Sequence, residues 1–220
     1  YVPNWAQEKA AEHASDFIGK RIEQAYQLRE TFGGHPPLVT APYDAELYGH
    51  WWYEGPQFLD FLFKELSYKS ELVRAVTPGD FLDSGVEIQI QKPTASSWGE
   101  NGYYKVWLNE GNSWMYPYQH DAERKMTGFA NRFEHPNPIE RRVLNQLARE
   151  LLLAQSSDWA FQIYQGTTVQ YSSRRFQSHI HRFDLLAEML EKNEFNEPLL
   201  AEIENRDNIF AEIDYTVYRS

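Results

Sequence analysis

The chain has 220 residues, 21 basic against 32 acidic, for a formal charge of −11. That charge opposes nucleic-acid phosphates and anionic membranes by simple repulsion, whereas a neutral polysaccharide is indifferent to it. The absence of cysteine excludes a disulfide framework and thiolate metal sites and suits a reducing cytoplasm, and no apolar run reaches membrane-spanning length.

In chain order, residues 5–30 are predicted as an amphipathic helix, with Ala10, Ala14, Phe17, Ile18, Ile22, Ala25 and Leu28 on one face, ending at Gly33 and Gly34. Pro36 and Pro37 introduce a short apolar run at 38–41, too short for a helix and bounded by breakers, which is expected to be a buried strand. The next segment, APYDAELYGHWWYEGP at 41–56, concentrates carboxylates, an imidazole and aromatic rings between two prolines. Phe58, Leu59, Leu62, Phe63 and Leu66 then fall at helical spacing, so the unit reads as strand, functional loop, helix. Thr77-Pro78-Gly79-Asp80 is predicted to turn, and 86–91 alternates apolar and polar residues like a strand before Lys92 and Pro93. Beyond Pro117 helices dominate, at 140–155, 158–165, 169–192 and 198–205, with Pro136 and Pro138 marking a loop. In the acidic tail from 193 onward, Leu199, Leu200, Ile203, Ile209 and Phe210 still call for burial.

Each candidate site residue has a bland reading beside a functional one. In the 41–56 segment the aromatics can be core, with Asp44 capping a turn and His50 bonded in the interior. Alternatively, the segment suits a retaining glycosidase, which needs a proton-donating carboxyl, an attacking carboxyl and aromatic faces for sugar rings. Glu46 lies two residues from Asp44, so in an extended loop both carboxylates face one side and Glu46 raises the acid's pKa by repulsion. A salt bridge elsewhere is its other reading. His50 is a candidate for a sugar hydroxyl or for holding Asp44. Trp51 and Trp52 should point to different surroundings, with Trp51 the candidate for substrate. Trp98, Trp107 and Trp114 sit in a Gly- and Asn-rich stretch, either as anchors of an irregular loop or as sugar-stacking faces. At 155–159, Ser157 or Asp158 is expected to cap the second of two helices. His179 and His181, two apart on a helix, lie on different faces, which argues against a shared metal site; with Arg174 and Arg175 they read as surface and interface residues.

The string YDAELYGHWWYEGP at 43–56 resembles the fourth signature motif of glycoside hydrolase family 57, in its α-1,4-glucan branching enzymes. SSWGENGYYKVWLNEGNSWMYPYQHDAERKM at 96–126 and LNQLARELLLAQSSDWAF at 144–161 are similar to the helical C-terminal region of the same enzymes, so the resemblance covers essentially the whole chain. It implies an α/β to mostly α chain: the last strands and helices of an incomplete (β/α)7 barrel at 1–93, then a helical domain at 94–220 that helps wall a glucan cleft. It also implies a retaining mechanism needing no metal or organic cofactor. Asp44 inherits the general acid/base role, Trp98 and Trp107 match cleft tryptophans, and Asp158 and Trp159 fall in the fifth motif on the cleft wall. The nucleophilic glutamate belongs to an earlier motif that these residues do not contain. The expectation is therefore a C-terminal fragment, inactive alone, whose partners are an α-glucan and an upstream barrel portion of the same enzyme. A family 57 amylase or 4-α-glucanotransferase, or a noncatalytic glucan-binding module, are the alternatives.

Overall fold

A computed structural model describes residues 1–220, which form two compact units, Tyr1–Lys92 and Pro93–Ser220. In the first, helix α1 (Pro3–Thr31) lies along α2 (Gly55–Tyr68), and a short α3 (Pro78–Asp83) follows. Ala10, Ala14 and Ile18 are the buried face of α1, and the small alanines let α2 approach until Phe17 meets Phe58 edge-on at 6.3 Å. Both helices begin with proline in the first turn, where the missing N–H costs nothing. At 77–80 the expected turn is the start of α3: the Thr77 side chain accepts from Asp80 N at 3.1 Å, and the Asp80 carboxylate accepts in return from Thr77 N.

The strands expected at 38–41 and 86–91 do not form, and no barrel strand is present among these residues. The one bridge in the molecule is isolated, between Tyr48 and Trp52. A strand is defined by a neighbour that pairs with its backbone, and neither segment has one within the chain. Residues 38, 39 and 41 instead line an open cavity of about 1000 Å³ with Phe17, Ile22 and Ala25 of α1 and Leu62 of α2.

The second unit is a helical assembly of α4 (Tyr116–Arg132), α5 (Pro138–Ala154), α6 (Ser157–Gln165), α7 (Val169–Lys192) and α8 (Glu197–Arg206). Helix α5 is its axis, packed chiefly on α7 and also on α4 and α8. Leu144, Leu147 and Leu151 of α5 meet Phe176, Phe183, Leu186 and Leu190 of α7 in the buried core. Each such side chain stabilises the fold by about 1.5–3 kcal/mol of burial. Asn137 starts α5 by accepting from Ile139 N and Glu140 N while Glu140 reaches back to Asn137 N at 2.7 Å. Gly166 closes α6 in the left-handed conformation, φ +75°. Buried Tyr215 ties the tail to the bundle by donating to Phe133 O at 2.7 Å.

Candidate functional site

In the first unit the 41–56 loop divides its aromatic residues between anchoring and display. Ala45–Leu47 is a single 3₁₀ turn preceded by Asp44, whose carbonyl accepts from Leu47 N at 3.2 Å. The Glu46 carbonyl then gathers His50 N at 3.2 Å and Trp51 N at 3.0 Å, and the Trp52 carbonyl accepts from Gly49 N and Gly55 N, both at 2.9 Å. Two glycines make this winding possible. Gly49 sits at φ +115°, and a Cβ on Gly55 would lie 2.5 Å from Tyr48 Cα. Tyr48 and Trp52 face inward against Phe58, at 6.4 and 5.2 Å between ring centroids. The chain reversal they anchor leaves Asp44, Glu46, His50 and Trp51 exposed on one loop, with Trp51 75% accessible and the His50 ring edge-on to it at 4.9 Å. Trp51 and Trp52 thus part as expected. The extended geometry that would set the Glu46 carboxylate beside Asp44 is absent, because a 3₁₀ turn rotates successive side chains by about 120°.

In the second unit the irregular stretch at 96–115 is organised by one fully buried side chain. Asn112 donates to Val106 O at 3.0 Å and Ala160 O at 3.3 Å and accepts from Asn109 N at 2.8 Å, fastening the stretch to α6. Tyr164 of α6 donates to Glu100 at 2.6 Å, and Tyr116 donates to the Trp107 carbonyl. The preceding loop is drawn tight at Gly99, where a Cβ would meet Tyr103 O at 2.5 Å. Trp98 stands 78% exposed on this loop. Trp107 is half-buried beside the exposed ring of Phe161, centroids 6.0 Å apart, whereas Trp114 packs edge-on against Phe176 and donates to Gly111 O.

Asp158 is exposed, one residue inside α6, and accepts from Ser156 Oγ at 3.0 Å. Neither Ser157 nor Asp158 caps that helix, because its N-cap is Ser156 and both lie within the first turn. Trp159 is buried at 8% accessibility, with its indole N–H on Leu153 O at 2.8 Å. The His179 ring stacks near it at 6.4 Å and the Arg175 guanidinium lies 5.0 Å above it, so this tryptophan offers a sugar no free face.

His179, read from sequence as one of a group of surface and interface residues, is fully buried, while His181 on the next face is exposed. The inward position follows from its register on α7, about one turn from Phe176 on one side and from Phe183 on the other, which put that stripe into the core. Its Nδ1 lies 2.7 Å from Glu150 Oε2 and 3.9 Å from Asp207 Oδ2. Burial pushes the Glu150 carboxyl above the ordinary glutamate range; the His179 hydrogen bond opposes the shift and the Asp207 carboxylate adds to it. Glu150, His179 and Asp207 bring their ligand atoms within 4.8 Å of one another, a spacing a metal ion could use. Arg182 already supplies the positive charge there, at 2.9 Å from Asp207 and 3.8 Å from Glu150, and the cluster is an ion-paired network.

Residues 118–218 match the family model for the C-terminal domain of 1,4-α-glucan branching enzymes. A 1,4-α-glucan branching enzyme of Thermococcus kodakarensis is 37% identical over 97% of this chain and 32% of its own length. The solved family 57-type branching enzyme of Pyrococcus horikoshii is 37% identical with a TM-score of 0.72, covering all of this chain and 42% of that one. In sequence and fold this chain is similar to the C-terminal part of family 57 branching enzymes. The match is not confined to branching: the solved α-amylase of Thermotoga maritima is 39% identical with a TM-score of 0.67 over all of this chain and 40% of its own. The chain thus spans about a third of the curated branching enzyme and two fifths of the solved chains it matches.

Three supporting residues escape a reading by composition. Asn112 and Tyr164 look like ordinary loop and helix polar residues until the structure shows what they fasten. Phe161 gains interest only as the neighbour of Trp107. The buried network did leave a signal, since Gln146, Arg149 and Glu150 interrupt the apolar register of α5 at helical spacing.

Proposed function

We propose that the chain carries the general acid/base and part of the glucan-binding surface of a retaining 1,4-α-glucan branching enzyme acting in α-glucan synthesis. The observation that carries this reading is the 41–56 loop, where two half-buried aromatics and two glycines hold Asp44, His50 and Trp51 out to solvent within a motif that resembles that family's. A glutamate supplied from outside these residues, in the barrel portion of the same enzyme, attacks the anomeric carbon of an α-1,4 linkage while Asp44 protonates the departing oxygen. Asp44 then takes the proton from an incoming glucan 6-hydroxyl, and the two inversions leave an α-1,6 branch of retained configuration. His50 and Glu46 serve as hydrogen-bond partners for sugar hydroxyls, and Trp51 stacks on a ring. On the second unit, Trp98 and the Trp107–Phe161 pair stack glucan and Asp158 binds hydroxyls, with the 1–93 and 94–220 portions acting as barrel end and helical domain. Trp159 supports Asp158 by packing. Transfer wins over hydrolysis where sugar reaches the glycosyl-enzyme before water.

No helix is long and apolar enough to cross a membrane, and a cysteine-free chain acting on a neutral polymer suits the cytoplasm. The second reading is an α-amylase, favoured by the 39% identity to the Thermotoga maritima protein. Proton NMR of amylose treated with the enzyme containing this chain separates the two. Branching predicts new α-1,6 anomeric signals outnumbering new reducing ends; reducing ends without α-1,6 signals would give the amylase.

A further inference from the structure

The buried imidazole of His179 has two different partners, and together they dictate where its proton sits. Arg175 Nη2 approaches Nε2 at 3.3 Å, and a guanidinium can only donate, so Nε2 must carry a bare lone pair. The remaining ring proton is then on Nδ1, where Glu150 Oε2 accepts it at 2.7 Å. Arg182 Nη1, 3.5 Å from Nδ1, is aimed at Asp207 instead, at 2.9 Å. The charged groups facing the ring are therefore Glu150 from α5, Arg175 and Arg182 from α7 and Asp207 from the segment after α8; α6 contributes only the Trp159 ring.

What the lone pair holds matters for α6. Arg175 has its Cζ 5.0 Å from the Trp159 centroid and 5.7 Å from that of Tyr171, and donates to the Tyr171 hydroxyl at 2.7 Å. A guanidinium fixed over an indole gains cation–π attraction without searching for its position. We propose that His179 is a tautomer-locked positioning residue: its bare Nε2 holds Arg175 over Trp159, and so fixes the start of α6, with Asp158, from inside the bundle. The relevance to substrate rests on the glucan reading of Asp158; the clamp itself does not.

The test is ¹⁵N NMR of the histidine rings and tryptophan indoles of the 220-residue protein, with Trp159 assigned by Trp159→Phe. Near neutral pH His179 should show a protonated Nδ1 and a bare Nε2; a protonated Nε2 would overturn the proposal. The two conservative replacements separate the partners, because a glutamine amide reaches the Nε2 position and an asparagine amide the Nδ1 position. The Trp159 indole signal should stay in His179→Gln and move in His179→Asn and in Arg175→Met. A signal unmoved by Arg175→Met, which alters a half-buried site and decides the matter even if the His179 variants fail to fold, would overturn the clamp. Amylose retention of the same variants is read separately: weaker retention supports a glucan-facing α6, whereas unchanged retention with a moved Trp159 signal removes that part of the functional reading and leaves the clamp standing.

Discussion

Replacing Asn112 by alanine tests whether one buried amide organises the aromatic loop of the second unit. The side chain is fully buried and makes three hydrogen bonds, to Val106 O, to Ala160 O and from Asn109 N. Ala160 lies inside α6, where its carbonyl already accepts from the next turn, so its loss is cheap. Val106 is buried and Asn109 half-buried, and their backbone groups would be left without this partner. At roughly 1–1.5 kcal/mol for each newly orphaned group, Asn112→Ala should cost about 2–3 kcal/mol. With a urea slope of about 2 kcal/mol per molar, the midpoint of helix loss by circular dichroism falls by about 1–1.5 M. The fluorescence of Trp98 and Trp107 should change in the native baseline as well, since the loop loses its tie to α6. A cost under about 0.5 kcal/mol, typical of an unremarkable surface change, would refute the assignment.

Other consequences follow from burial and capping. Trp98→Ala removes a mostly exposed ring, so it should leave stability within about 0.5 kcal/mol while weakening amylose retention; Trp159→Ala empties a buried site and should cost about 3–5 kcal/mol, and chemical denaturation with affinity electrophoresis reads both. Asn137→Ala breaks the capping box of α5 and should cost about 1 kcal/mol, with Asn137→Ser recovering most of it in the same urea titration. Because burial raises the Glu150 carboxyl above its ordinary value of 4.5, its contribution to stability is fully present below that pH and is lost as pH rises through the raised value. Glu150→Gln should therefore gain on the wild type between pH 4.5 and neutrality, and a flat or falling difference in urea midpoints would contradict the shift.

Helix positions were legible where the signals are local. The predicted 169–192 helix coincides with Val169–Lys192, because an apolar stripe runs its length and Asn193 closes it in the left-handed conformation. Helix α5 starts two residues before the predicted 140, since Asn137 and Glu140 form a box that admits Pro138 at the first position. The strands failed for the opposite reason: an apolar run at 38–41 shows the capacity to pair but not whether a partner exists. The 41–56 loop was recognisable by content, yet its inward and outward aromatics depend on two glycine positions that composition cannot weigh. His179 shows the same limit: spacing separated it from His181 but did not say which was inside, and the clue lay on another helix at Glu150. Trp159 had the right sequence context for a cleft wall, and burial by α7 side chains makes it a support.

The central claim is that Asp44 is the acid/base, and the direct measurement is branching by the enzyme containing this chain with Asp44→Asn. The amide keeps the shape of an exposed side chain and removes the proton, so α-1,6 signals and new reducing ends should both fall by about 10²–10⁴-fold while amylose binding and stability persist. Branching retained at near wild-type rate in a folded, amylose-binding Asp44→Asn enzyme would contradict the account.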